Sequence, residues 1–165
     1  MKELFILTLL WPGFLFGQFS LKYDNYFDYV KAHKLEYISK GALTFGYGFD
    51  DGLESVLLHH YSGFEKVFPE ANPYWWNPTL SWKNKYRDYD NGDKRAAFPG
   101  SKTWAVWATD GYHAVRAAKK VKLIFAITIN IGERRPAAYY FYDAIFYSTC
   151  ATAGFHTSWS IIFKK

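Results

Sequence analysis

Residues 137–163 read AAYYFYDAIFYSTCATAGFHTSWSIIF, with Asp143 as the one formally charged side chain and His156 as the one imidazole. A stretch of this length is sufficient for a helix that spans a bilayer. Ser148, Thr149, Ala151, Ala153 and Gly154 are small enough to let a second helix come close. Tyr139 and Tyr140 suit an interfacial belt, and Lys164-Lys165 closes the segment with positive charge. The stretch therefore predicts a helix over 137–163 and is the strongest membrane candidate in the chain. Mean hydropathy is modest at −0.22, which keeps a soluble helical domain as the competing expectation.

Working back from this stretch, Arg134-Arg135-Pro136 marks a break. Residues 103–131 show a helical pattern through Ala105, Trp107, Ala108, Tyr112, Val115 and Ala118. Lys119, Lys120 and Lys122 interrupt its hydrophobicity. The β-branched run VKLIFAITINI at 121–131 leaves a strand open there. Residues 34–68 read as one long helix or a broken pair, with Leu43, Phe45, Phe49, Leu53, Val56, Leu57 and Tyr61 at helical spacing. Gly41, Gly46, Gly48 and Gly52 are costly in a water-exposed helix and useful in a closely packed one. They also permit an interruption near 46–52. Between these segments, residues 69–102 hold four prolines (Pro69, Pro73, Pro78, Pro99) and an Asn91-Gly92 turn signal, so a long connection is expected. Its Tyr74, Trp75, Trp76, Trp82 and Tyr86 are interleaved with Lys83, Lys85 and Arg87. Such a loop can lie on headgroups, stack on a sugar, cover a site, or pack as an ordered lid on the helices.

Residues 1–17 read as a signal peptide or N-terminal anchor: Lys2, an apolar run from Leu4 to Phe16, and the small Gly17 before Gln18. Residues 18–165 are then expected to form a single helical domain in the membrane or cell envelope. The chain has 165 residues, a net charge of +5, and 22% aromatic residues, which argues against disorder. Its basic residues sit in short clusters beside apolar stretches and form no continuous stripe. Membrane lipids therefore fit as partners, and nucleic acid does not. The single cysteine, Cys150, excludes an intramolecular disulfide and a Cys-based zinc motif.

Ionisable groups inside apolar stretches are costly unless paired, metal-bound or wetted, so they point to a site. Asp50, Asp51 and Glu54 precede His59 and His60. They form an acidic face or cap a helix start. Asp110 and His113 face the same way, as a carboxylate-oriented base, a pair of metal ligands or a structural hydrogen bond. Arg116 lies one turn on and suits an anion. Asp143 and His156 can meet other helices. HExxH, G-x-S-x-G, P-loop and dinucleotide signatures are missing. The Asp88–Gly92 string departs from a calcium loop at its glycine and at Pro99, and reads as a turn.

The strings WNPTLSWKNKY at 76–86 and TDGYH at 109–113 resemble those of uncharacterised bacterial exported or membrane proteins. That resemblance covers the middle and C-terminal parts of the chain and implies no activity.

The expected architecture is an all-α, membrane-associated helical bundle with a long aromatic surface loop. Two functions follow. One is a metal-assisted hydrolase or lipid-modifying enzyme with its polar site between helices. Asp110, His113 and Glu54 would then be catalytic, and Arg116, Lys83 and Trp76 would hold substrate. His60, Asp110, His113 and His156 would bind a divalent metal ion, the candidate cofactor. The other is a non-catalytic membrane subunit of a protein complex, binding a partner or ligand through the Trp-rich loop. A secreted carbohydrate-binding domain using that loop is a third reading.

Overall fold

A computed structural model describes residues 23–132 and 135–164, and its architecture is predominantly helical. The signal or anchor expected at 1–17 lies outside the described residues. A short α1 (Tyr26–Ala32) leads into the long α2 (Lys34–His59), followed by α3 (Tyr61–Val67). Asn25 caps α1 by accepting a hydrogen bond from the Asp28 backbone N–H at 3.1 Å. The long segment is a broken pair, but the break falls at His60, and α2 runs unbroken through Gly46–Gly52.

The connection at 69–108 is ordered. Two one-turn helices, α4 (Pro73–Trp76) and α5 (Pro78–Ser81), each start with proline behind an asparagine cap, Asn72 and Asn77. A 3₁₀ turn leads to an antiparallel hairpin of β1 (Tyr86–Asp88) and β2 (Asp93–Ala96). Its turn contains Gly92 at φ 84°, a left-handed conformation that suits glycine. Then come α6 (Gly111–Thr128) and α7 (Ala137–His156). The strand left open at 121–131 is helical up to Thr128, where Ile129 turns extended.

Helix α2 is the hub. Helices α6 and α7 each pack along it and barely touch one another. Helix α7 runs parallel to α2, Gly41 meeting Phe146, Gly48 meeting Ala151 and Gly52 meeting Phe155 and Ser158. A Cβ on Gly48 would strike the Ala151 carbonyl, and one on Gly154 would strike that of Phe45. The two backbones are thus in contact, as the small residues of both segments predict. Beyond His156 the helix widens into a π-turn over Thr157–Ile162. The widening brings the buried Ser158 hydroxyl to the Phe49 carbonyl at 2.9 Å. It also drops Phe163 into a core of Val56, Leu57, Phe64 and Val115. A second cluster, Tyr29, Tyr37, Ile131 and Tyr139, sits at the other end of α2.

Among the described residues no helix is long and apolar enough to cross a membrane. The spanning bundle is corrected accordingly. Asp50, Asp51 and Glu54 dilute α2, Lys119, Lys120 and Lys122 dilute α6, and hydroxyls and tyrosines dilute α7. Apolar side chains nevertheless face outward, including Ile124, Phe125 and Ile127 on α6 and Phe141 and Ile145 on α7.

Candidate functional site

The acids of α2 meet the bases of α6 in an antiparallel ladder. Asp50 pairs with Lys122, and Glu54 with Lys119. Asp51 accepts a second bond from Lys119 at 2.8 Å. Arg116 Nε lies 3.8 Å from Glu54, and the Tyr112 hydroxyl donates to the same carboxylate at 3.3 Å. Arg116, Lys119 and Lys122 are three positions apart, so all three face one neighbouring helix. Burial pulls the Lys119 pKa down, but its hydrogen bonds to Asp51 and Glu54 outweigh this and the net shift is upward. Burial, reinforced by the charge of Glu54, raises that of Tyr112.

Asp110 is the N-cap of α6. Its carboxylate accepts from the His113 backbone N–H at 2.8 Å and approaches the His113 ring Nδ1 at 2.7 Å. The Thr109 hydroxyl adds a third bond at 3.1 Å. The side chain is almost fully buried and its oxygens are engaged, so the pair predicted at 110 and 113 exists and its visible work is to start a helix. Trp76 lies across Gly111 and against Phe64, where a Cβ on Gly111 would enter the indole. Its ring therefore packs α4 onto α6 and α3.

The remaining candidates are dispersed. The His60 ring packs on Trp159 at 4.4 Å between centroids, and its buried Nδ1 has no hydrogen-bond partner among the described residues. His156 is exposed on α7 and reaches Ser160 at 3.2 Å. Lys83 pairs with Asp90 beside the hairpin. Among the described residues no three of His, Cys, Asp and Glu gather as metal ligands. The metal centre expected from His60, Asp110, His113 and His156 is thereby corrected, and the metal-assisted hydrolase loses its basis. These residues lie on separate elements, the α2–α3 junction, the start of α6 and the end of α7, whose packing does not aim them at a common point.

Asp143 meets another helix as expected, whereas its partner Arg135 and the match of the α6 lysines to the α2 acids have no local signature. Lys119 and Lys122 were read as flanking charge, although their spacing matches the acids of α2. Asp143 pairs with buried Arg135, accepts from Tyr37 at 2.6 Å and from Tyr26 at 2.9 Å. Burial and the bond to Asp143 push the Tyr37 pKa strongly upward. Cys150, half-buried beside Gly41, has its thiol pKa raised by burial, which disfavours the nucleophilic thiolate.

The aromatic segment differs from this interior. Tyr74, Trp104 and Trp107 are exposed, Trp104 at 77%. The segment is held from beneath, with the Asn84 amide donating to the carbonyls of Tyr74 at 2.7 Å and Thr109 at 3.0 Å. No protein family matches the chain, and no curated protein or solved structure shows significant similarity to it.

Proposed function

We propose that this chain is a non-catalytic binding component of the cell envelope, engaging its partner through the aromatic segment at 72–108. One contrast supports the reading. The candidate acid–base groups of α2 and α6 are engaged by neighbours, whereas large aromatic side chains of the connecting segment are held outward with nothing over them. Exposed apolar surface of this kind marks interaction sites.

The test is co-purification of the full chain from its native envelope. Trp104→Ala with Trp107→Ala removes exposed rings and should abolish partner retention while leaving the circular dichroism spectrum unchanged. Trp76→Ala should instead lower stability, since that ring packs α4 onto α6 and α3. Partner retention unaffected by the loss of Trp104 and Trp107 would count against the proposal. So would turnover of an ester or phosphoester that vanishes in His113→Ala.

A further inference from the structure

The hairpin and the turn behind it form a single tied unit. Ser101 is fully buried and its hydroxyl donates to the Lys85 carbonyl at 2.8 Å. The Ala97 N–H reaches the same carbonyl at 3.1 Å. Gly100, at φ 85°, closes the following turn, and its carbonyl accepts from Thr103 and Ala105, both at 2.9 Å. The Trp104 indole lies across this glycine, so a Cβ there would fall 2.5 Å from the ring. An indole that is 77% exposed therefore rests against a turn only glycine adopts readily.

The same unit is cationic. Residues 83–102 hold Lys83, Lys85, Arg87, Lys94, Arg95 and Lys102 against Asp88, Asp90 and Asp93. Lys83 and Arg95 are paired, with Asp90 and Asp93. Among the described residues no carboxylate lies within ion-pair distance of the other four cations. Three of these are steered by aromatic faces: Lys85 and Lys102 each lie 5.3 Å from the Tyr86 ring centre, and Lys94 lies 5.4 Å from that of Tyr89. On the α2–α6 seam each cation facing α2 has its carboxylate; here Lys85, Arg87, Lys94 and Lys102 have none at ion-pair distance among the described residues, on the unit that carries Trp104.

We infer that this unit is a docking surface for anionic lipid headgroups. The inference rests on the binding role proposed above and names the partner's chemistry. Unpaired Lys and Arg supply attraction to a negative bilayer surface, each contributing independently, and Trp supplies a ring suited to the headgroup layer. Contact of this kind requires no spanning helix.

The experiment uses the purified full chain and sedimenting vesicles. One set is phosphatidylcholine alone and the other is phosphatidylcholine with phosphatidylglycerol. Binding should be about tenfold or more tighter on the anionic vesicles and should weaken as salt rises. The double variant Arg87→Gln/Lys94→Gln should lose about tenfold or more on anionic vesicles. Brominated lipid should quench tryptophan emission in the native chain. Trp104→Phe with Trp107→Phe should remove that quenching with the helical spectrum unchanged. Equal binding to both vesicle types overturns the inference, as does binding insensitive to the cation variant, because adhesion would then come from the apolar faces of α6 and α7. A protein partner retained through Trp104 with no vesicle binding overturns the lipid assignment and leaves the binding role standing. Loss of both overturns both.

Discussion

The two long seams of α2 are built on different physics. Towards α6 the helices are antiparallel and bridged by long charged side chains, Asp50 to Lys122 and Glu54 to Lys119. Towards α7 they are parallel and meet backbone to backbone through Gly48 and Gly154, with the charge confined to one end, where Asp143 accepts from Tyr37 and pairs with Arg135. The charged seam fixes register, because sliding by one turn would place each carboxylate beside the wrong base. The glycine seam fixes distance, because a Cβ at Gly48 or Gly154 would strike the facing backbone. One helix therefore carries two independent specifications of its neighbours.

Substitutions should separate them. Gly48→Leu places a side chain where the Ala151 carbonyl sits and should cost ~3 kcal/mol or more, read as a collapse of the urea midpoint. A midpoint within the range of ordinary surface variants would show that the helices can part cheaply. Lys119→Met leaves Asp51 and Glu54 without their shared cation and should cost about 2 kcal/mol, since breaking a partly buried pair strands the remaining charge. Combining it with Glu54→Leu in a double-mutant cycle should return part of that loss. Strict additivity would mean that the ladder has no coupling to break.

The alkaline limb tests the charged seam and the Tyr37–Asp143 contact without mutation. The folded pKa values of Lys119 and Tyr37 are raised, so the unfolded chain sheds these protons first. Their stabilisation is fully present below about pH 10, the ordinary range for these groups, and is lost as pH rises beyond it. Thermal midpoints between pH 8 and pH 11 should be flat and then fall, and the fall should be shallower in Lys119→Met. Asp110→Ala removes the α6 cap at some distance from the ladder and should cost about 1 kcal/mol. The smallest effect is expected at Gly46, which faces the stem of Lys122 and not a backbone. Gly46→Ala should change stability by less than ~1 kcal/mol, with gained helix propensity offsetting the tight contact.

The glycine seam was legible in the sequence because small residues recur in both partners, Gly41, Gly48 and Gly52 in one and Gly154 in the other. The helices at 34–68 and 137–163 were legible for the same reason that apolar spacing is local information. The break at His60 was not, since it depends on α3 turning to bury Phe64 against Phe163. The partners of the α2 acids were hidden by another kind of non-local information. Asp50, Asp51 and Glu54 look stranded when α2 is read alone, and Lys119 and Lys122 look like a basic flank and Arg116 like an anion holder when α6 is read alone. Each set resolves the other only when the register between the helices is known. An ordered lid at 69–102 was among the expectations, but what holds it was hidden, because Ser101 and Asn84 act through backbone carbonyls that leave no residue-type signature.

The hub position of α2 also bears on how the chain acquires its shape. Neither long partner is its neighbour in sequence: the ladder joins residue 54 to 119, and the glycine contact joins 48 to 151. A newly made α2 leaves the ribosome with bare acids and an open glycine groove, and must wait for most of the polypeptide before either is covered. Closing such distant pairs carries a loop entropy that short-looped helical bundles avoid. Assembly is then set by these late encounters more than by the speed at which the helices themselves form.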